Sequence, residues 1–152
     1  MSAMKLYIGS DHNGVELKRK LTEYLQKAGY EVVSEGSEIQ GPTDDFPQFA
    51  GRVVQAMRAD SNTDSRGILI CGSGQGMCMA ANRFKGIRAA LAWSQEEARS
   101  ARNDDDSNVL CLSANEVSFD RTIGILHTWL LTPFAGAPRF IRRIQELDEL
   151  GN

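Results

Sequence analysis

The segment from Ile68 to Gly76, which reads ILICGSGQG, carries the strongest chemical signal in the chain. An apolar run ends at Cys71, and a glycine-rich turn, Gly72–Gly76, follows it. Glycines let the backbone approach a ligand and direct N–H groups at it, and the start of the expected helix adds partial positive charge. The turn could therefore stabilise a negatively charged oxygen, either of a phosphate or of an enediolate intermediate.

Cys71 stands directly before this turn. A thiolate near the start of a helix can act as a base at neutral pH, and Ser73 could add a hydroxyl donor to the same site. A cysteine at the end of an apolar run is also often a small core residue, so local chemistry leaves both interpretations of Cys71 open. We interpret four other residues as core or interface residues: Cys78, Cys111, Trp93 and Trp129.

Two further pairs of residues could bind an anionic substrate. Asp11 and His12 follow the first expected strand, where ligands often bind in this type of sheet. Arg139 and Arg143 are four residues apart, so they share one face of the expected C-terminal helix. Two guanidinium groups on one face could hold a phosphate. The alternative for the arginines is a solvent-exposed face that nearby acidic residues balance.

The acidic run Asp104–Asp106 lies between an expected helix and an expected strand. A solvated loop is the simpler interpretation, because aspartates favour turns and helix ends. A divalent-metal site is the alternative, but three consecutive side chains cannot easily face one ion. We therefore expect no metal site here.

Length and composition limit the classes of protein. The chain has 152 residues, 41% of them hydrophobic and 24% charged, as expected for one globular domain. A net charge of −3 argues against a nucleic-acid-binding protein, and no apolar run approaches the ~18 residues of a membrane helix. The three cysteines cannot form a closed set of disulfides, and the first residues do not resemble a signal peptide. We therefore expect a cytoplasmic protein with reduced thiols.

Strand-like and helix-like segments alternate about five times along the chain. The strands are expected at Lys5–Ser10, Glu31–Ser34, Gly67–Cys71, Arg88–Ala92 and Asn108–Leu112. The helices are expected at Val15–Ala28, Phe46–Ala59, Met77–Phe84, Ser94–Asn103, Glu116–Leu131 and Arg139–Leu150. Such alternation predicts an α/β fold, a three-layer αβα sandwich around a five-stranded parallel sheet. Ligands bind outside the carboxyl ends of such strands, which selects Ser10–Gly14, Cys71–Gly76 and the region of Ser113.

Taken together, these segments resemble the type B ribose-5-phosphate isomerases and the related galactose-6-phosphate isomerases, over roughly Met4 to Ile144. The matching segments are IGSDHNG (Ile8–Gly14), DFP (Asp45–Pro47), GILICGSGQG (Gly67–Gly76), AANRFKGIRAAL (Ala80–Leu91) and NVL (Asn108–Leu110). The resemblance implies a Rossmann-like fold and a homodimer, often paired into a tetramer, with sites at the subunit interface. It also implies an aldose–ketose isomerisation of a phosphorylated sugar, ribose 5-phosphate to ribulose 5-phosphate, through a cis-enediolate without metal or cofactor.

The resemblance also assigns roles to the matching residues. Cys71 is the base that moves a proton between C1 and C2, and the turn with Ser73 holds the enediolate oxygens. The C-terminal helix completes the phosphate site with its two arginines. The residues that the resemblance places against the substrate are Asp11, His12, Phe46, Gly72, Gly74, Gln75, Gly76, Arg139 and Arg143.

Three positions depart from the family pattern. When the chain is aligned on Asn108–Leu110, the family's His-Asn-Asp becomes Asp104–Asp106. The histidine opens the sugar ring in the family and typically comes from the partner subunit. An arginine after the fifth strand is replaced by Asn115, and a histidine after the first phosphate-binding arginine by Phe140. We expect Asp104 to act in ring opening, and Asp105 and Asn115 to contact the substrate.

These departures leave the identity of the sugar open. One alternative is a four-carbon substrate, erythrose or erythrulose 4-phosphate, which cannot close a furanose ring through its phosphorylated terminal oxygen. A six-carbon sugar phosphate is another. A non-catalytic sugar-phosphate-binding protein is an alternative of a different class. A nucleotide- or flavin-binding module has less support, because the chain has no GxGxxG in its first turn and no Walker motif.

Overall fold

The computed structural model describes residues 4–36, 41, 43–62 and 64–151. Within them, five parallel strands form one sheet in the order β2-β1-β3-β5-β4. The strands are β1 (Lys5–Ser10), β2 (Glu31–Gly36), β3 (Ser65–Cys71), β4 (Ala89–Leu91) and β5 (Val109–Ser113). The helices are α1 (Val15–Lys27), α2 (Phe46–Ala59), α3 (Gln75–Ala81), α4 (Gln95–Asp105), α5 (Phe119–Leu131) and α6 (Pro138–Asp148), and a 3₁₀ turn spans His12–Gly14. The predicted α/β fold with a five-stranded parallel sheet is confirmed.

The sheet lies between two apolar layers. One core cluster joins Ile70 of β3 to side chains of α1 and to Trp129 of α5. The other joins Leu69 of the same strand to Val53 of α2 and Met77 of α3. Because successive side chains of a strand point to opposite faces, β3 contributes to both clusters. Burial on both faces explains why this strand is a continuous apolar run from Ile68 to Cys71.

Helix α3 begins earlier than predicted, at Gln75 rather than Met77, and ends at Ala81 rather than Phe84. Its N-cap is Gly74, with a φ of 82°, a left-handed conformation that glycine adopts readily. Gln75 and Gly76 are therefore helical, and the loop between β3 and α3 is shorter than the sequence suggested.

Helix α4 ends at Asp105 rather than at the predicted Asn103. Asp106 has a φ of 49° and ends the helix, and its carboxylate accepts a hydrogen bond from Arg102 at 2.8 Å. The prediction that Asp104 and Asp105 lie in a loop is therefore wrong, because both occupy the last turn of α4.

Helix α5 begins at Phe119 rather than Glu116, because the Ser118 hydroxyl accepts the Arg121 N–H and caps the helix. The remaining bounds differ from the predicted ones by at most two residues. Part of the predicted loop Gly36–Asp44 lies outside the described residues. In the part of the chain that the structure describes, no helix combines the length and apolar character needed to cross a bilayer.

Candidate active site

The carboxyl ends of β1, β3 and β5 lie side by side at one end of the sheet. We call this end the Cys71 edge. Ser10 pairs with Ile70, and Cys71 pairs with Ser113. The residues that follow these strands are hydrogen-bonded to one another: the Asp11 N–H donates to the Ile70 carbonyl at 3.3 Å, and the Asn115 N–H donates to the Gly72 carbonyl at 3.0 Å. The expectation that these three segments come together is met.

Cys71 is the last residue of β3, and its side chain is 6% exposed. It packs in the core cluster on the α2 and α3 side of the sheet, beside Met77. Its carbonyl accepts the N–H of Ala114 at 3.0 Å, which fixes the backbone at this point. The thiol is thus held at the edge of the core, directly beside the loop that begins at Gly72.

The loop after Cys71 presents several hydrogen-bond donors. The Ser73 hydroxyl accepts the Gln75 N–H at 3.2 Å, which leaves its own hydrogen to donate elsewhere. The backbone amides of Gly74 and Gly76 have no hydrogen-bond partner within the described residues. This arrangement can stabilise negative charge on a substrate oxygen placed beside Cys71.

Trp93 is hydrogen-bonded to this loop, a contact that the sequence did not indicate. Its indole Nε1 donates to the Ser73 carbonyl at 3.3 Å, and its own carbonyl accepts a hydrogen bond from Arg121 at 3.0 Å. The side chain is 38% exposed, so its position is set by these bonds as well as by packing. The interpretation of Trp93 as a core or interface residue therefore omitted its contact with the site.

Phe46 and Asn115, both predicted to contact the substrate, lie against this loop. A β-carbon added to Gly76 would lie 2.8 Å from the Phe46 ring, and one added to Gly72 would lie 3.0 Å from the Asn115 amide nitrogen. Both glycines are therefore needed for these side chains to approach so closely. Phe46, the first residue of α2, is partly exposed and lies against the start of α3 at Gly76.

A pair of acidic residues flanks His12 at the end of β1. The His12 Nδ1 lies 2.5 Å from Asp44 Oδ1, and the His12 N–H donates to the same oxygen at 3.3 Å. The hydrogen bond with Asp44 raises the pKa of His12. Asp11 is 6% exposed and accepts the Asn13 N–H at 3.0 Å. Burial raises the pKa of Asp11, and the hydrogen bond from Asn13 opposes that rise.

Asp44 was not among the residues singled out in the sequence. Its only local signal is its place immediately before the Asp45–Pro47 motif. Ligand atoms of Asp11, His12 and Asp44 all lie within 4.8 Å of one another, so these are the side chains within the described ranges that could hold a metal ion.

Four predicted site residues lie at the opposite end of the sheet, near the amino ends of β4 and β5. We call this end the second edge. The Asp105 carbonyl accepts a hydrogen bond from Arg88 Nε at 3.1 Å, directly before β4. Strand β5 has five residues and runs from this edge to the Cys71 edge, which separates the two by roughly 16 Å at ~3.3 Å per residue. Asp104, Asp105, Arg139 and Arg143 therefore do not join Cys71 within one chain.

The four residues of this second edge are grouped around the end of α4. Burial raises the pKa of Asp105, the neighbouring Asp104 adds to the rise, and the nearby Arg143 opposes it. The Ala135 N–H donates to the Asn103 carbonyl at 3.1 Å, which joins the segment before α6 to α4. Arg139 is exposed, with its guanidinium 4.4 Å from the centre of the Phe140 ring. Acidic and basic groups thus share one solvent-facing surface.

Comparisons with known proteins agree with this architecture. The model of a family described as Ribose/Galactose Isomerase matches residues 6–147. The chain is 42% identical over 142 residues to a probable ribose-5-phosphate isomerase B of Mycoplasma pneumoniae, covering 93% of this chain and 91% of the relative. It is 36% identical to ribose-5-phosphate isomerase B of Mycolicibacterium paratuberculosis, covering 96% and 91%.

Two solved structures show the same fold. Ribose-5-phosphate isomerase B of Clostridium thermocellum superposes with a TM-score of 0.90 at 39% identity, covering 96% of each chain. The enzyme of Mycoplasma genitalium, solved with bound ribulose 5-phosphate, superposes with a TM-score of 0.91 at 39% identity, covering 97% of this chain and 96% of that one.

Proposed function

The chain belongs to the ribose/galactose isomerase family, and on that premise we propose that it interconverts ribose 5-phosphate and ribulose 5-phosphate with Cys71 as the base. The observation that carries the proposal is the position of Cys71 at the end of β3, directly beside a loop whose Gly74 and Gly76 amides have no hydrogen-bond partner among the described residues. The relatives named as ribose-5-phosphate isomerases cover nearly the whole chain, and one structural relative holds ribulose 5-phosphate.

The proposed reaction moves one proton between adjacent carbons. The Cys71 thiolate removes the proton from C2 of the open-chain aldose, and the C1 carbonyl oxygen gains the negative charge of an enediolate. The Ser73 hydroxyl and the amides of Gly74 and Gly76 donate to the enediolate oxygens. Cys71 then returns the proton to C1, and a second proton passes from the C2 oxygen to the C1 oxygen, which completes the ketose.

A second copy of the chain would supply the other half of the site. Asp104, Arg139 and Arg143 lie at the edge of the sheet opposite Cys71, too far away to touch the same small sugar within one chain. In a two-fold dimer the same two surfaces meet twice, so each Cys71 edge could face the partner's second edge. We therefore propose a homodimer, alone or paired into a tetramer, in which the arginines of one subunit hold the phosphate of a sugar bound at Cys71 of the other.

Helix α6 supports the proposed assembly. None of its residues is buried, yet it carries apolar side chains: Ile141 is 43% exposed and Leu147 is 49% exposed, and Leu150 just beyond the helix is 72% exposed. An amphipathic helix whose apolar stripe is uncovered within its own chain is typical of an interface. The same helix carries Arg139 and Arg143. Its packing against the partner would therefore place both guanidinium groups beside the sugar bound there.

The sugar's length depends on Asp104. A carboxylate can accept the proton of the ring hydroxyl, and on this basis we propose that Asp104 opens the ribose 5-phosphate ring. A four-carbon sugar phosphate is the second candidate, because Asp104 stands where the family resemblance places a ring-opening histidine. We also propose a cytoplasmic location, in keeping with the three free cysteines.

An isomerase assay over four-, five- and six-carbon sugar phosphates tests the proposal. We expect the highest kcat/KM for ribose 5-phosphate. A far higher kcat/KM for erythrose 4-phosphate would replace the proposed substrate with the second candidate. Binding of these sugar phosphates without turnover of any of them would contradict the proposed enzyme and favour a binding protein.

A further inference from the structure

The contact between His12 and Asp44 joins two segments that are far apart in the sequence. One carboxylate oxygen of Asp44 meets both the His12 ring at 2.5 Å and the His12 backbone N–H at 3.3 Å. Two bonds to one residue fix both the ring and the backbone that carries it. The orientation of His12 is therefore set by Asp44 rather than by rotamer preference alone.

The surroundings of Asp44 indicate that its negative charge stabilises the charged form of His12. The Asp44 side chain is 17% exposed, and its second oxygen, Oδ2, is buried without a hydrogen-bond partner among the residues that the structure describes. A buried carboxylate with few partners interacts strongly with the one cation beside it, because little water screens the pair. Among the described residues, the charged groups that face His12 are Asp44 and Asp11, and both favour the imidazolium form.

The pairing leaves one ring nitrogen of His12 for another partner. Asp44 occupies Nδ1, and Nε2 forms no hydrogen bond within the described residues. The side chain is 27% exposed, and it follows β1, the strand next to the one that ends at Cys71. An imidazolium held at this edge would present a charged N–H donor to an anionic ligand beside Cys71.

We propose that Asp44 is a positioning residue, which fixes His12 so that its Nε2–H donates to a phosphate oxygen of the substrate. This inference rests on the proposed function, because it takes the substrate to be a sugar phosphate. The phosphate is negatively charged in the ground state and in the transition state alike. The contact therefore contributes to substrate binding, and its loss should appear in KM rather than in kcat.

The first test measures His12 directly by NMR titration and needs no activity. The chain has two histidines, so the variant His127→Gln assigns the His12 signals. We expect Asp44→Asn to lower the pKa of His12 relative to wild type. We also expect inorganic phosphate to shift the His12 Nε2 resonance in wild type and to shift it much less in Asp44→Asn. An unchanged His12 pKa, or an equal response to phosphate in both proteins, would overturn the proposal.

The second test compares pH profiles of the isomerase. Since His12 is charged below its pKa, the Asp44→Asn variant should lose phosphate binding at a lower pH than wild type. At a pH between the two His12 pKa values that the titration measures, we expect its KM for ribose 5-phosphate to rise about tenfold, as for a lost charge-assisted bond, while kcat stays within about twofold. At a pH below both pKa values the two KM values should converge, and Asp44→Glu should recover part of the loss.

The control is Asp64→Asn, which removes another paired loop carboxylate. Asp64 accepts a hydrogen bond from Arg66 at 3.2 Å and is not among the residues proposed to bind the sugar, so its loss should not move KM or its pH profile. If Asp44→Asn lowers kcat and raises KM equally at every pH, Asp44 is merely structural and the proposal is wrong. If wild type turns over no sugar phosphate, the proposed function fails, while the titration with inorganic phosphate still decides the role of Asp44.

Discussion

Cys71 and Asp104 lie at opposite edges of the same parallel sheet, because α4 returns the chain from the carboxyl end of β4 to the amino end of β5. Cys71 pairs with Ser113 at the far end of β5, whereas Asp105, next to Asp104, lies beside Arg88 before β4 begins. If both residues act on one sugar, they must come from two chains. The quaternary structure is thus part of the proposed chemistry.

Hybrid dimers test whether the site is shared. Cys71→Ala and the double variant Arg139→Ala/Arg143→Ala should each be nearly inactive. After the two proteins are unfolded together and refolded at equal amounts, a shared site should recover about a quarter of wild-type activity, since half of the dimers are hybrids and each has one intact site. No recovery, with hybrids demonstrated by native mass spectrometry, would show that the residues act within one chain.

Asp104→Asn should separate ring opening from proton transfer. The variant keeps the shape of the side chain but loses the base, so kcat/KM for ribose 5-phosphate should fall about 100-fold. Turnover of erythrose 4-phosphate, which needs no furanose ring to open, should change little. Asp120→Asn, on the surface of α5, is the control. An equal loss on both sugars would exclude a role in ring opening.

Gly74→Ala should destabilise the protein more than Gly86→Ala. Both glycines have a φ of 82°, but a β-carbon at Gly74 would lie 2.6 Å from Leu91 and 3.0 Å from the Leu112 backbone, while one at Gly86 would meet nothing within 4 Å. Each variant carries the ~1–2 kcal/mol cost of a left-handed alanine, and the Gly74 clash adds roughly 1–3 kcal/mol. Urea unfolding measures both; equal losses of unfolding free energy would contradict the close packing.

Trp93→Phe should slow turnover by releasing the loop beside Cys71. The variant keeps an aromatic ring but loses the bond from Nε1 to the Ser73 carbonyl. A hydrogen bond of about 1 kcal/mol corresponds to a roughly threefold to tenfold fall in kcat. Trp129→Phe is the matched control, because its Nε1 donates to Ser107 in the core and its loss should lower stability instead. An unchanged kcat in Trp93→Phe would show that the loop holds its shape without the indole.

The sequence predicted the features that depend on neighbouring residues. The alternation of apolar runs and turns predicted the five strands. The glycines after Cys71 predicted the loop against which Phe46 and Asn115 pack. Signals of this kind are local, because strand burial and left-handed glycines are determined within a few residues.

The features that depend on distant contacts were missed. Asp44 lies 32 residues from His12 in the chain, and nothing near Asp44 indicates that partner. The last turn of α4 was assigned to a loop, because the left-handed Asp106 and its bond to Arg102 end the helix later than the acidic run suggested. Trp93 was interpreted as a core or interface residue. Its hydrogen bond goes to Ser73, 20 residues earlier in the chain, so the residues around Trp93 do not indicate that contact.

The turnover of ribose 5-phosphate by Cys71→Ala tests the proposed proton transfer most directly. The variant removes the proposed base and keeps a small side chain at the end of β3. We expect kcat to fall by about 1,000-fold or more, with ribulose 5-phosphate still bound at close to wild-type affinity in a calorimetric titration. A Cys71→Ala variant that keeps substantial turnover would contradict the assignment of Cys71 as the base that carries the proton.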